Sequence, residues 1–327
     1  MDVLRGRRDG LVLVGADLAP QGVTASECDL THPLPATDDP RFTAAVEQLC
    51  LDDDIDLVIP CRDPDALVLA RANDDPASPV RTASPPEPLV AMTRDKWLTH
   101  EWCRQRGIPF APSVCTDVSS ADDVDSLVAA WGYPLVAKPR GGSGSLGVRV
   151  LTGPEHLAAA RELPGYLIQP FLDPPPPAAL ELDLAAGLPL FWEIPVHATP
   201  ALTIVIGPDG TAMQPLCFAA DQRLGRVEAV QRLDDPALAD FAAVMSRAFQ
   251  EAGWRGPLSM PLRRGPDGWY IIELNPRFSG GTSGRLLLGF DEVRWVVNRW
   301  LGWDAVPAWT GRPTGRVQRL LQDFPAR

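Results

Sequence analysis

The stretch YPLVAKPRGGSGSLGVRVL, residues 133–151, constrains this chain more than any other. An apolar run leads into Lys138, and a second apolar run closes the stretch at Leu151. Between them stand Gly141, Gly142, Gly144 and Gly147, with Ser143 and Ser145 interleaved. A plain hairpin needs only one or two permissive residues at its turn. Several glycines together let the backbone approach a ligand closely, and successive N–H groups form a nest for an anion. No Gly-Lys-Ser/Thr closes the stretch before a helix, so it is not a P-loop, and the strand character of GVRVL argues against a dinucleotide fingerprint. The pattern predicts strand, flap-like loop, strand, with the Lys138 ammonium aimed along the phosphates of a ligand under the loop. A flexible surface turn is the alternative on this stretch alone.

A second constellation is YIIELNPRFSGG, residues 270–281. Alternation along a strand places Glu273 and Asn275 on one face and Ile272 and Leu274 on the other. A carboxylate beside an amide oxygen suits a hard cation such as Mg2+, completed by phosphate oxygens and water. Arg277 offers a two-pronged donor to phosphate, and Gly280 and Gly281 keep the floor open. The competing reading is a salt-bridged strand end, with Arg277 pairing Glu273 and Asn275 capping a turn. Two phosphate-type elements in one chain favour a bound nucleotide.

Composition removes other classes. At 327 residues with net charge -12, the chain is unlike a general nucleic-acid binder, which needs a basic surface to replace counterions. A local nest of cations and N–H groups still works within an acidic protein. The six cysteines contain no CxxC pair, so a disulfide scaffold and a zinc site lack support. The absence of a long apolar run and of a signal peptide predicts a cytoplasmic protein with no membrane partner.

Apolar periodicity predicts strands at 11–16 and from Ile55, and a helix from Asp39 with Phe42, Val46 and Leu49 on one face. Strand–helix–strand order suggests a parallel α/β unit. Residues 74–88 read as a linker or surface excursion. A helix framed by Thr93 as cap and Gly107 as stop follows, then one over 121–131 and one near 155–162. Further strands are expected at Tyr166, 180–185, 190–196 and 202–206, with DQRLGRVEAV a loop. A helix is expected over 236–252, paired strands flank Gly265–Gly268 with Pro261 weakening the first, and the segment 292–303 is helical. The four prolines 174–177 form an extended loop.

In order along the chain, MTRDKW, GIPFAPS, YPLVAKPRGGSGSLGV, YLIQPFL and IIELNPRFSGG resemble the ATP-grasp ligases, in the group similar to the carbamoyl phosphate synthase large subunit and the carboxylate–amine ligases. The resemblance covers Met92 to Phe290 well and the N-terminal unit weakly. It implies an α/β (α+β) ATP-grasp fold. A truncated, Rossmann-like pre-ATP-grasp domain would take residues 1–92, a small lid subdomain 93–165, and a large subdomain with metal and substrate sites 166–327.

It also implies ATP and Mg2+, with small-molecule carboxylate and amine substrates joined through an acyl phosphate; a homodimer is the one assembly allowed for. Lys96 and Lys138 match the two nucleotide-binding cations, and Gly141 to Gly147 match the lid over the β- and γ-phosphates. Gln169, Pro170 and Phe171 match the hinge that reads adenine. Glu273 and Asn275 match metal ligands, and Arg277 a residue beside the transferred phosphate. Arg223 and Arg226 lie where similar enzymes face the acceptor, so one of them is expected to orient the substrate carboxylate.

Departures leave a second reading open, a degenerate nucleotide-binding or scaffold protein without turnover. Pro261 stands where the family carries another metal ligand, and Pro170 lacks the hinge N–H. DPPPPAALELDL replaces the usual ribose-binding segment, which a slipped register would restore through Glu181 or Asp183. The N-terminal unit starts at what resembles the family's second strand.

Overall fold

The computed structural model describes all residues except 1, 9, 22, 143, 177–179, 181–197, 224, 225 and 321–327. Ser143, Glu181 and Asp183 lie outside the described residues, as do the strand expected over 190–196 and all but Leu180 of the one over 180–185.

The N-terminal unit opens with a parallel pair, β1 (Val14–Asp17) and β2 (Leu30–Pro33), joined through α1 (Val23–Glu27). In α2 (Phe42–Asp52) the buried residues Phe42, Val46 and Cys50 recur every four positions, giving one apolar stripe. That stripe packs on Leu69 and Ala72 of α3 (Asp63–Asp74) and on Val80. The strand expected from Ile55 contracts to one parallel bridge, Val58 to Thr82, and Pro60 has no N–H with which to continue a ladder. Of the residues expected as a linker or surface excursion, 74–77 are exposed, but 78–85 run largely inside the protein. Val80, Thr82, Ala83 and Ser84 are buried, and a Cβ on Gly256 would lie 2.3 Å from the Ala83 carbonyl oxygen. Small residues there let two backbones touch. The segment leads into α4 (Glu87–Thr93), so Thr93 ends one helix instead of capping the next. Asp95 caps α5 (Lys96–Gln105), accepting from the N–H groups of Trp97 and Leu98.

A four-stranded antiparallel sheet follows, from β3 (Val114–Cys115), β4 (Leu135–Pro139), β5 (Arg149–Leu151) and β6 (Tyr166–Pro170), in the order β3-β6-β4-β5. One face, with Leu135, Ala137 and Ile168, is covered by α6 (Ala121–Trp131) and α7 (Pro154–Arg161). By alternation Lys138 projects from the other face.

The larger sheet has six strands in the order β11-β10-β7-β8-β9-β12. They are β7 (Thr199–Ile206), β8 (Leu216–Arg223), β9 (Arg226–Arg232), β10 (Gly256–Gly265), β11 (Gly268–Ile271) and β12 (Arg316–Gln318). The segment DQRLGRVEAV is therefore the end of a hairpin, with Arg223 opposite Arg226. Leu202, Ile204 and Ile206 of β7 and Leu258, Met260 and Leu262 of β10 share one face, packed beneath α8 (Pro236–Glu251) and the fully buried Trp254. The reverse face, with Ala201, Val205 and Phe218, meets Leu288, Phe290 and Val296 around α9 (Thr282–Leu287) and α10 (Glu292–Leu301).

Prolines 257 and 261 do not interrupt β10. The Ser259 N–H points away from β7, to the Asn275 carbonyl, so the two prolines of the same parity lack donors that β7 does not need. No helix among the described residues is long and apolar enough to cross a membrane.

Candidate active site

β4 delivers Lys138 into the gap between the two sheets. Its Nζ donates to the Ile272 carbonyl at 2.9 Å, and the residue is 8% exposed. Burial pushes the amine down to about 7; the Glu273 carboxylate opposes that shift and the Lys96 ammonium adds to it. Lys96, the first residue of α5, donates to the Gly142 carbonyl at 3.1 Å and lies 3.4 Å from Glu273 Oε1. One carboxylate thus sits beside two lysines.

The stem of the glycine loop is held firmly. Arg140 is paired with Asp95 at 2.6 Å and Asp117 at 3.3 Å, and its carbonyl accepts from the Lys96 N–H. Beyond the stem, Gly142, Gly144, Ser145 and Gly147 all take positive φ. Nothing lies within 4 Å of where a side chain on Gly142 or Gly144 would begin. The loop has a fixed root and open space beside Gly142 and Gly144, and Leu146 within it is 80% exposed.

On the opposite wall β11 ends at Ile271, and the pairing register slips by one residue. Leu262 faces Ile271, but Ser259 faces Asn275, so Ile272 and Glu273 both stand opposite Pro261. This bulge corrects the simple alternation. Ile271 and Leu274 enter the core, while Ile272 joins Glu273 and Asn275 outside it. Pro261 accepts the Ile272 N–H through its carbonyl at 3.1 Å and brings no side-chain oxygen.

Arg277 is bound to Asp63 Oδ2 at 2.8 Å, tying the second wall to the N-terminus of α3. It does not pair with Glu273. The loop behind it is fixed by Arg285, which bonds Ser279, Thr282 and the fully buried Glu292. Arg223 and Arg226 stand at the tip of the β8–β9 hairpin. At the end of β6, the segment expected as the hinge, Gln169 is buried with its amide donating to Ser113 Oγ at 2.7 Å, and the Phe171 N–H is used by the Pro134 carbonyl. The structure therefore brings Lys96, Lys138, Gly142 and Glu273 together, and ties Arg277 elsewhere.

Sequence reasoning passed over Asp63, Asp95, Arg140 and Arg319. An Asp directly before an amphipathic helix is a capping signal, so Asp95 was recoverable. Arg319 Nη1 lies 3.7 Å from where a side chain on Gly280 would begin, a proximity set by β12 and unreadable from spacing.

Among the described residues no cluster of three or more His, Cys, Asp or Glu is able to hold a metal. The donor set of Glu273 and Asn275 fits a cation shared with phosphate oxygens, not one caged by protein alone.

No family model and no curated protein matches the sequence. Solved structures do. The biotin carboxylase domain of 2-oxoglutarate carboxylase from Hydrogenobacter thermophilus, in complex with MgADP, ADP and bicarbonate, is 16% identical, with a TM-score of 0.68 over 90% of this chain. This chain spans 65% of that domain's length. N5-carboxyaminoimidazole synthetase from Staphylococcus aureus, complexed with ADP, is 13% identical over 94% of this chain and 74% of its own, at a TM-score of 0.66. Biotin carboxylase from Campylobacter jejuni, in a β-γ-ATP complex, is 14% identical over 94% of this chain and 69% of its own, also at 0.66. At these identities the likeness is one of fold, and the fold of this chain is ATP-grasp, with two antiparallel sheets and an N-terminal α/β unit.

Proposed function

We propose that this protein is an ATP-dependent ligase that joins a carboxylate to an amine through an acyl phosphate. The observation that carries the reading is Lys138. A lysine amine withdrawn from water, bonded to one backbone carbonyl and sharing a single carboxylate with Lys96, is unfavourable as a cation unless a polyanion arrives to compensate it. Lys96, Glu273 and the open glycine loop surround that position. The similar folds are complexes with ADP or with β-γ-ATP, and one of them also holds bicarbonate, an anion with a carboxylate-like pair of oxygens.

In this reading Lys96 and Lys138 neutralise the triphosphate, and the N–H groups of residues 141–147 cover it and exclude water. Glu273 and Asn275 would hold Mg2+, which when bound disperses charge on the transferring phosphoryl group. A carboxylate oxygen attacks the γ-phosphorus as the bond to ADP breaks. The amine then attacks the acyl carbon, phosphate departs, and the amine gives up a proton. Arg277, released from Asp63 or shared with it, is the cation assigned to the transferred phosphate, and Arg223 or Arg226 to the substrate carboxylate.

Purified protein with ATP and Mg2+ should release ADP together with a product of new mass when screened against pooled carboxylates and amines. Lys138→Ala and Glu273→Ala should abolish both signals; full turnover in either variant refutes the assignment. Pro261 favours a second reading, since it gives the cation no side-chain ligand. A nucleotide-binding protein without turnover would bind ATP tightly and release no ADP across the same panel.

A further inference from the structure

Arg263 is a cation for which the proposed chemistry has no use. It lies in β10 opposite Tyr270 of β11, and its flanking pair, Leu262 and Ile271, is buried in the core beneath α8. Cross-strand partners share a face, so Arg263 and Tyr270 both project from the side away from that core. The side is identifiable. Tyr270 meets Trp131 of the small subdomain edge-on at 6.1 Å, and a Cβ on Gly265 would touch both Tyr270 and Leu172, two residues past Pro170. Two positions back along the same face is Pro261, which stands opposite Glu273. Arg263 is therefore on the cleft wall, between the hinge and the carboxylate.

Its guanidinium makes no hydrogen bond or ion pair with any described residue. Burial lowers its affinity for the proton, with only the Asp173 carboxylate acting the other way. Arg263 is part-buried, with its donors left to water and to no acceptor among the described residues, so a ligand entering the cleft can take them up through its own acceptors or a π-face.

The hinge beside it is short of donors. Pro170 has no N–H, the Phe171 N–H goes to Pro134, the Leu172 N–H goes to the Pro170 carbonyl at 3.0 Å, and the Gln169 amide goes to Ser113. A purine base presents ring nitrogens that need donors; the hinge backbone N–H groups are spent, and the buried Gln169 amide is turned toward Ser113.

Building on the nucleotide reading above, we propose that Arg263 is the nucleobase-binding residue of this cleft, supplying from the sheet floor the donors and cationic face that the hinge lacks. The triphosphate is held by the lysines and the glycine loop, and Arg263 acts on the base.

The test separates base from phosphate. Binding of MgATP and of magnesium tripolyphosphate, which has no base, is measured by calorimetry on the full chain and on Arg263→Met and Arg263→Lys. Melting curves confirm that both variants fold. Arg263→Met should weaken MgATP at least tenfold and leave tripolyphosphate within twofold, with Arg263→Lys intermediate for ATP. Equal losses for both ligands would move Arg263 to the phosphates and overturn the proposal, as would unchanged ATP affinity in both variants. If the unmodified protein binds neither ligand, the nucleotide reading fails and the proposal with it; if it binds both alike, only the proposal fails.

Discussion

Nucleotide binding should draw a proton onto Lys138. The free amine titrates at about 7, against an ordinary 10.5, because it is buried against the Ile272 carbonyl. A triphosphate favours the charged form, so bound nucleotide raises this pKa. At pH 8 about nine in ten free molecules carry the neutral amine, and binding takes up roughly 0.9 proton; at pH 6 uptake falls to about 0.1. Affinity then drops by about tenfold, or ~1.4 kcal/mol, for each pH unit above 7 until the bound pKa is reached. Calorimetry at pH 8 in two buffers of different ionisation enthalpy reads the uptake directly, and Lys138→Met gives the blank for protons taken by the nucleotide itself. Equal uptake in the two proteins, or an affinity that does not change between pH 6 and pH 8, would refute the reasoning. Stability carries the opposite sign. Between about pH 7 and 10.5 the unfolded chain keeps a proton that the folded chain has lost, so this group makes folding more favourable as pH rises through that window. Lys138→Met should remove that rise in a melting series.

Other outcomes follow from the packing. Trp254 is fully buried against Phe249, and Trp254→Ala should lower stability by about 3–5 kcal/mol in urea titration. Glu292→Ala leaves the buried Arg285 without its carboxylate and should cost about 3–5 kcal/mol, whereas Arg285→Met with Glu292→Leu should recover most of it. Asp95→Ala removes the α5 cap and the partner of Arg140, with a loss of about 1 kcal/mol from the cap alone. The same change should free the root of the glycine loop, read as faster amide exchange over residues 140–148.

Much of the large architecture was legible because it rests on period and punctuation. The helix over 121–131 has a Ser120–Asp123 capping box and an apolar stripe, and the structure places α6 on those residues. The strand–glycine–strand unit and the order of the later elements were equally readable. What escaped depends on who sits opposite. The bulge at Ile272 and Glu273 exists because the Ser259–Asn275 bridge fixes a register one residue off that of β10 and β11, and no local preference encodes it. Residues 74–88 are rich in proline and small residues, the composition of a surface loop. Residues 82–85 among them are nonetheless buried, and Ala83 fits where it does because Gly256 brings no side chain, a long-range match. Arg277 has the spacing of a phosphate ligand, yet its partner Asp63 lies in another unit and 214 residues away. Nothing local to Arg263 encodes which way it faces; its pairing with Tyr270 does.

The most direct test is a structure of the protein at saturating Mg2+ and a non-hydrolysable ATP analogue. The account predicts one triphosphate between the sheets, with Lys96 and Lys138 on its oxygens, residues 141–147 folded over it, and a cation touching Glu273 and Asn275. A cleft that stays empty at saturation, or a nucleotide seated where it meets neither lysine nor Glu273, would contradict it.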